Sequence, residues 1–154
     1  MASTSTLSVH SQSGDSQSRS LSNAVAAPVV LLGRLLFVLI FVMAGPSLFG
    51  SQSVSYAASQ GVPLASIAVP LSGAIAIAGG LSILLGYRAK IGAWLIVLFL
   101  AGVTPMMHNF WAVTDPTMHQ IQFVMFLKNL SMLGGALLIS QFGAGPWSLD
   151  ARRK

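Results

Sequence analysis

Two histidines and a lysine stand in one apolar stretch of this chain. From His108 to Gly135 it reads HNFWAVTDPTMHQIQFVMFLKNLSMLGG. Lys128 is set among residues that could cross a bilayer, where a charge is costly and calls for a partner or a purpose. The candidate ligand-binding residues are His108, Asn109, Trp111, Gln122, Lys128 and Asn129, with His119 close by in sequence. A quinone headgroup needs donors to its two carbonyl oxygens inside an apolar slot. His108 and Lys128 could supply them, with Trp111 or Phe110 against the ring. An imidazole titrating near neutral pH could also pass a proton. The plainer alternative is an interfacial cap of His108, Asn109 and Trp111, with Lys128 satisfied by loop carbonyls or by Asp115.

Other chemistries find less support. His108, Asp115 and His119 match no metal-ligand spacing. The chain has no cysteine, which removes thiolate metal sites, disulfides and CxxC redox chemistry. No catalytic triad, Gly-rich phosphate loop or paired carboxylates appear, so no catalytic residue is assigned. Met106, Met107, Met118, Met125 and Met132 read as gap fillers of an apolar interior.

The elements that must position these residues follow from composition. The 154 residues are 54% hydrophobic and 7% charged, with a mean hydropathy of +0.76. Soluble domains carry about 25% charged residues, so so few charges imply membrane residence. Residues 1–23 are rich in Ser, Thr and Gln and are expected to be disordered. Residues 24–150 hold four apolar runs, with spans expected at about 28–48, 64–86, 91–107 and 121–142. A basic tail, 151–154, closes the chain.

The net charge of +5 comes from eight basic residues that form no stripe with interleaved aromatics, which argues against nucleic acid. Arg19 precedes the first span, Arg88 and Lys90 separate the second and third, and Arg152, Arg153 and Lys154 follow the fourth. With four spans these lie on one side, which the positive-inside rule makes cytoplasmic. The opposite loops, about 49–63 and 108–120, contain no Lys or Arg. Arg34 reads as a further topology anchor, snorkelling near the cytoplasmic end of span one. On a helical wheel, Gln122, Met125, Lys128, Asn129, Met132 and Gly135 share one side of span four. Lys128 could point inward from there, or snorkel toward the outer surface.

Several ordered motifs resemble the DoxX family. They are Gly33-Arg34-Leu35-Leu36, Ala44-Gly45, Tyr56 with Gly61-Val62-Pro63, and Gly79-Gly80 followed by Leu85-Gly86-Tyr87-Arg88. His108-Asn109-Phe110-Trp111, Phe126-Leu127-Lys128-Asn129-Leu130 with Gly134-Gly135, and Gly145-Pro146-Trp147-Ser148-Leu149-Asp150 complete the set. The resemblance covers about residues 29–150. It implies a small four-helix protein of the bacterial cytoplasmic (inner) membrane, in a family associated with quinone-linked and other membrane redox functions. Many members carry a Glu where this chain has Ala76, and a basic residue near Pro46-Ser47-Leu48.

The expectation is therefore an all-α, integral membrane four-helix bundle with both termini cytoplasmic. Its expected role is that of a non-catalytic accessory subunit, at most part of a quinone-linked oxidoreductase. It would bind quinone, the candidate cofactor, or a similar lipid-soluble molecule, with the bilayer and a membrane redox enzyme as partners. The alternatives are a structural or assembly protein that recruits a membrane partner, and a small transporter.

Overall fold

The computed structural model describes residues 26–153. The expectation of disorder for residues 1–23, and the basic residues Arg19 and Lys154, lie outside them. The fold is all-helical. Four helices are long and apolar enough to cross a membrane, and a fifth is short. Helix α1 covers residues 26–44 and runs on into a 3-10 turn, Gly45–Phe49. The short α2 is Ser51–Ser59. Then come α3 (Ala65–Leu85), α4 (Ala89–Met107) and α5 (Pro116–Phe142).

The sequence builds this bundle from small residues at helical spacing. In α1 the inward face is Ala27, Arg34, Val38 and Phe41, continued by Gly45 in the 3-10 turn, a stripe whose steps are three or four residues or their sum. In lipid there is no hydrophobic force between helices, so close backbone approach supplies the attraction. It is supplied here. A Cβ on Gly79 would stand 2.9 Å from the Gly92 carbonyl oxygen, so α3 and α4 nearly touch at that crossing. Gly80 faces Phe41 and Val42 of α1, and Gly135 of α5 faces the Phe37 ring. Helix α4 packs on both α3 and α5. The core sits at this junction, with Val38, Phe41, Ala76, Ile83, Ala93, Ile96, Leu100 and Ala136 all buried.

Two boundaries differ from the sequence expectation. Helix α5 starts at Pro116 rather than near Ile121. Asp115 accepts a hydrogen bond from the Met118 amide at 2.8 Å, and proline occupies the first turn. Both features favour a helix start, and they extend the helix outward through polar residues. The segment expected as a loop, about 49–63, instead folds as α2, which buries Ala57 against Ala65 and Val69 of α3.

Candidate functional site

The two ends of the bundle are built differently. At one end, the residues after α5 fold back over the α3–α4 turn. Leu149 and Asp150 amides donate to the carbonyls of Leu85 and Gly86 at 3.3 and 2.8 Å. The Asp150 carboxylate accepts from the backbone amides of Arg88 (2.8 Å) and Ala89 (3.0 Å), capping the start of α4. Arg153 lies over the Tyr87 ring, 4.7 Å from its centroid. Trp147 adopts a left-handed backbone (φ 55°), and Gly143 and Gly145 also have positive φ, so the chain reverses tightly after α5. Arg88, Lys90, Arg152 and Arg153 are all exposed at this end.

Arg34 belongs to the same end but does not behave as a surface anchor. It is 4% exposed. Its Nη2 donates to the Trp147 carbonyl at 2.7 Å, while Nε and Nη1 are buried without a partner among the described residues. The wheel position of Arg34 on the face of Phe37 and Phe41 explains this. The C-terminal segment covers that face where a snorkelling side chain would otherwise reach water.

The expected ligand site lies toward the other end, and the structure divides it. His108 and Gln122 do meet, with Nδ1 and Oε1 2.8 Å apart, joining the end of α4 to the start of α5. Phe110 is the centre of an aromatic cluster, with Trp111, His119, Phe123 and Phe126 around it at centroid distances of 5.2–5.7 Å. Trp111 remains 60% exposed. This suits an interfacial cap, in which aromatic bodies sit at headgroup level. Asn109 stands before the short 3-10 turn Phe110–Ala112.

Lys128 and Asn129 part company. Asn129 is buried, on the wall of a cavity of about 180 Å³ that Ala76, Phe41, Leu100 and Met132 also line. Lys128 is exposed, and its ammonium contacts Met125 Sδ at 3.3 Å. Neighbouring residues on a helix differ by about 100°, and here that rotation separates inside from outside. The His108–Lys128 clasp on a quinone headgroup is therefore not formed. His108 is engaged by Gln122, and Lys128 faces away from the bundle. Among the described residues, no three His, Cys, Asp or Glu side chains gather as a metal site.

The cavity that the sequence reading missed is larger. It has a volume of about 300 Å³ and lies between α2, α3 and α4. Leu48, Ala57, Val69, Phe99, Gly102 and Met106 are among its wall residues. Two wall hydroxyls are satisfied locally, Ser72 by the Val69 carbonyl and Ser53 by the Ser47 carbonyl, both within 2.8 Å. The Tyr56 phenol is the remaining polar group on the wall. Helix α2 closes one side, and a loop over residues 49–63 would leave no such cavity. The signal present in the sequence was Val54 and Ala57, three residues apart and able to share a helix face.

Comparison with known proteins fits this membrane architecture. The chain is 32% identical over 130 residues to inner membrane protein YphA of Escherichia coli, covering 82% of this chain and 92% of YphA. It is 33% identical over 129 residues to inner membrane protein YqjF of the same organism, covering 79% of this chain and 88% of YqjF. It is 29% identical over 80 residues to ER-derived vesicles protein ERV29 of Saccharomyces cerevisiae, covering 52% of this chain and 26% of ERV29. No solved structure gives a significant match. The chain is a multi-pass protein of the inner membrane. The profile of the SURF4 family matches residues 21–154, which overturns the resemblance to the DoxX family. Glycine pairs at helix crossings suit close packing in lipid generally, and a basic turn between spans is a general feature of membrane topology. Those motifs mark the architecture rather than one family. With its profile matched across nearly the whole sequence, the chain belongs to the SURF4 family.

Proposed function

We propose that this protein is a non-catalytic membrane protein that holds a lipid-soluble molecule in the cavity between α2, α3 and α4. The observation that carries this reading is the cavity wall itself. A volume of about 300 Å³ is at the lower end of small-molecule sites, which are mostly apolar with a few polar groups. Tyr56 and Met106, two of its wall residues, are 47% and 45% exposed, so the cavity opens to the outside of the bundle. The occupant this wall suits is an acyl or isoprenoid chain. A quinone enters the reading through its tail, not through a headgroup clasped by His108 and Lys128.

The working unit of this reading is the membrane domain, residues 24–150, with both termini cytoplasmic. Supporting that orientation, Arg88, Lys90, Arg152 and Arg153 occupy one end of the bundle, while residues 50–64 and 108–115 at the other contain no Lys or Arg.

The test is binding of a fluorescent polyunsaturated fatty acid and of a long-tailed quinone to purified protein in nanodiscs. Gly102 lines the cavity, and a Cβ there meets nothing within 4 Å. Gly102→Phe therefore fills the space without a backbone clash. Saturable binding by wild type and by His108→Ala, lost in Gly102→Phe, is the expected result. Binding that survives Gly102→Phe and fails in His108→Ala would put the ligand beside α5 and sink the reading.

A further inference from the structure

Among the described residues, helix α5 is the least buried of the four long helices, with 17% of its apolar stretch covered against 33% for α3. Its uncovered face carries Lys128. The side chain runs back along the helix toward the N-terminal end, and its ammonium lies level with Met125, 3.3 Å from the sulfur. Met125 is four residues inside Ile121, where the apolar run begins, which at 1.5 Å per residue is about 6 Å. The charge therefore lies within the apolar run, and among the described residues its hydrogen-bond contact is the Met125 thioether. A thioether sulfur is a weak acceptor, and an ionisable group within a membrane span is costly unless it is paired.

The surface beside Lys128 is shaped for another helix. Ser131 and Gly134 are exposed on the same uncovered side, and a Cβ on Gly134 meets nothing within 4 Å. Leu127 and Leu138 flank them, at 45% and 62% exposure. Small residues flanked by leucines allow close backbone approach in lipid.

Charge decides what docks there. The chain holds three acidic residues, Asp15, Asp115 and Asp150, and no Glu. None of the three lies within the four long apolar helices that cross the membrane. The four long helices of a second copy therefore have no carboxylate to offer Lys128. We propose that the face of α5 around Lys128, Ser131 and Gly134 docks a transmembrane helix of a different protein, one that carries a carboxylate at the depth of Lys128. Pairing would neutralise the charge and give the ammonium a strong acceptor in a low-dielectric setting.

The test uses purified full-length protein, fluorescently labelled, in zwitterionic liposomes. The probes are synthetic Leu/Ala transmembrane helices with one Glu, Gln or Leu at the matching depth. Energy transfer should show the Glu helix associating about tenfold better than the Leu helix, the scale of one interhelical polar contact. The preference should vanish in Lys128→Leu and persist in Lys128→Arg. Equal association of the Glu and Leu helices overturns the proposal, as does a Glu preference that survives Lys128→Leu. Self-association of the labelled protein that depends on Lys128 would assign the face to a second copy. In a parallel set of liposomes that contain phosphatidylglycerol, Lys128-dependent enrichment of that lipid, with no Glu preference, would assign it to a lipid headgroup. Either result also overturns the proposal. A photo-crosslinker at Ser131 in native membranes provides the cellular counterpart. Its product should contain a heterologous protein whose span bears an acid, and should disappear in Lys128→Leu.

Discussion

Arg34 and Trp147 are 113 residues apart in sequence and joined by one hydrogen bond, from Nη2 to the backbone carbonyl, at 2.7 Å. The bond ties the first span to the segment that follows the last. It also leaves Nε and Nη1 of the same guanidinium buried without partners among the described residues. Replacing a buried, incompletely paired charge with an apolar residue of similar volume is often neutral or stabilising. Arg34→Met should therefore stay within about 1 kcal/mol of wild-type stability, measured by unfolding in mild detergent. The C-terminal segment should loosen at the same time, seen as faster tryptic cleavage at Arg152 and Arg153. A loss of about 3 kcal/mol or more would mean that the two nitrogens are satisfied in the membrane.

Asp150 gives the folded-back segment its pH dependence. The hydrogen bond from the Ala89 amide is the main cause holding its carboxyl below the ordinary carboxylate range. Partial desolvation opposes this, and the Arg88 amide and the charges of Arg153 and Arg88 add to it. A carboxyl depressed in the folded state stabilises above its unfolded value of about 3.9 and loses that contribution as pH falls through the folded value. The cap on α4 should thus be complete at neutral pH and weaken below about pH 4. Protection of the Arg88 and Ala89 amides against hydrogen exchange, relative to their intrinsic rates at the same pH, should fall there. Asp150→Asn should remove most of the pH dependence, and because the half-buried carboxylate sits near the surface, where solvent screens it, the change in global stability should be small.

Two glycines of the same type should respond in opposite directions. At Gly79 an added Cβ meets the Gly92 carbonyl at 2.9 Å, which is backbone and cannot turn away. Gly79→Ala should force α3 and α4 apart at a cost of about 1–3 kcal/mol. At Gly102 the same methyl group meets nothing, so Gly102→Ala should stabilise α4 by about 0.5–1 kcal/mol through helix propensity. Parallel thermal unfolding of the two variants checks both signs. A similar effect in both would remove the close α3–α4 crossing as the source of packing.

The His108–Gln122 pair links α4 to α5 where the bundle is otherwise aromatic. A double-mutant cycle with His108→Leu and Gln122→Leu should give a coupling of about 0.5–1.5 kcal/mol, as for other interhelical hydrogen bonds in membranes. Additive effects would show that the contact is incidental to the fold.

What the sequence determined by itself was the architecture. A chain with so few charges and four apolar runs must hide its backbone polar groups in helices, because lipid offers them no partner. The inward face of α1, with Arg34, Phe37 and Phe41 on it, follows from the 3.6-residue period alone. So does the placing of Gln122 and Asn129 on one side of α5, with Leu127 and Leu130 away from it. The tertiary structure decided everything that depends on a neighbour. Lys128 and Asn129 are adjacent in sequence, yet one faces out and the other lines a cavity. Only the position of α4 and α1 against α5 draws that line. Arg34 became buried because residues 143–153 return over it, a contact with no local signature. The main cavity exists because α2, only nine residues long, leans on α3. A helix that short is marginal alone and forms through tertiary packing. The family, too, was not legible in the motifs. Close helix packing in a bilayer selects the same small residues, and membrane topology the same basic turns, wherever four short spans must fit together.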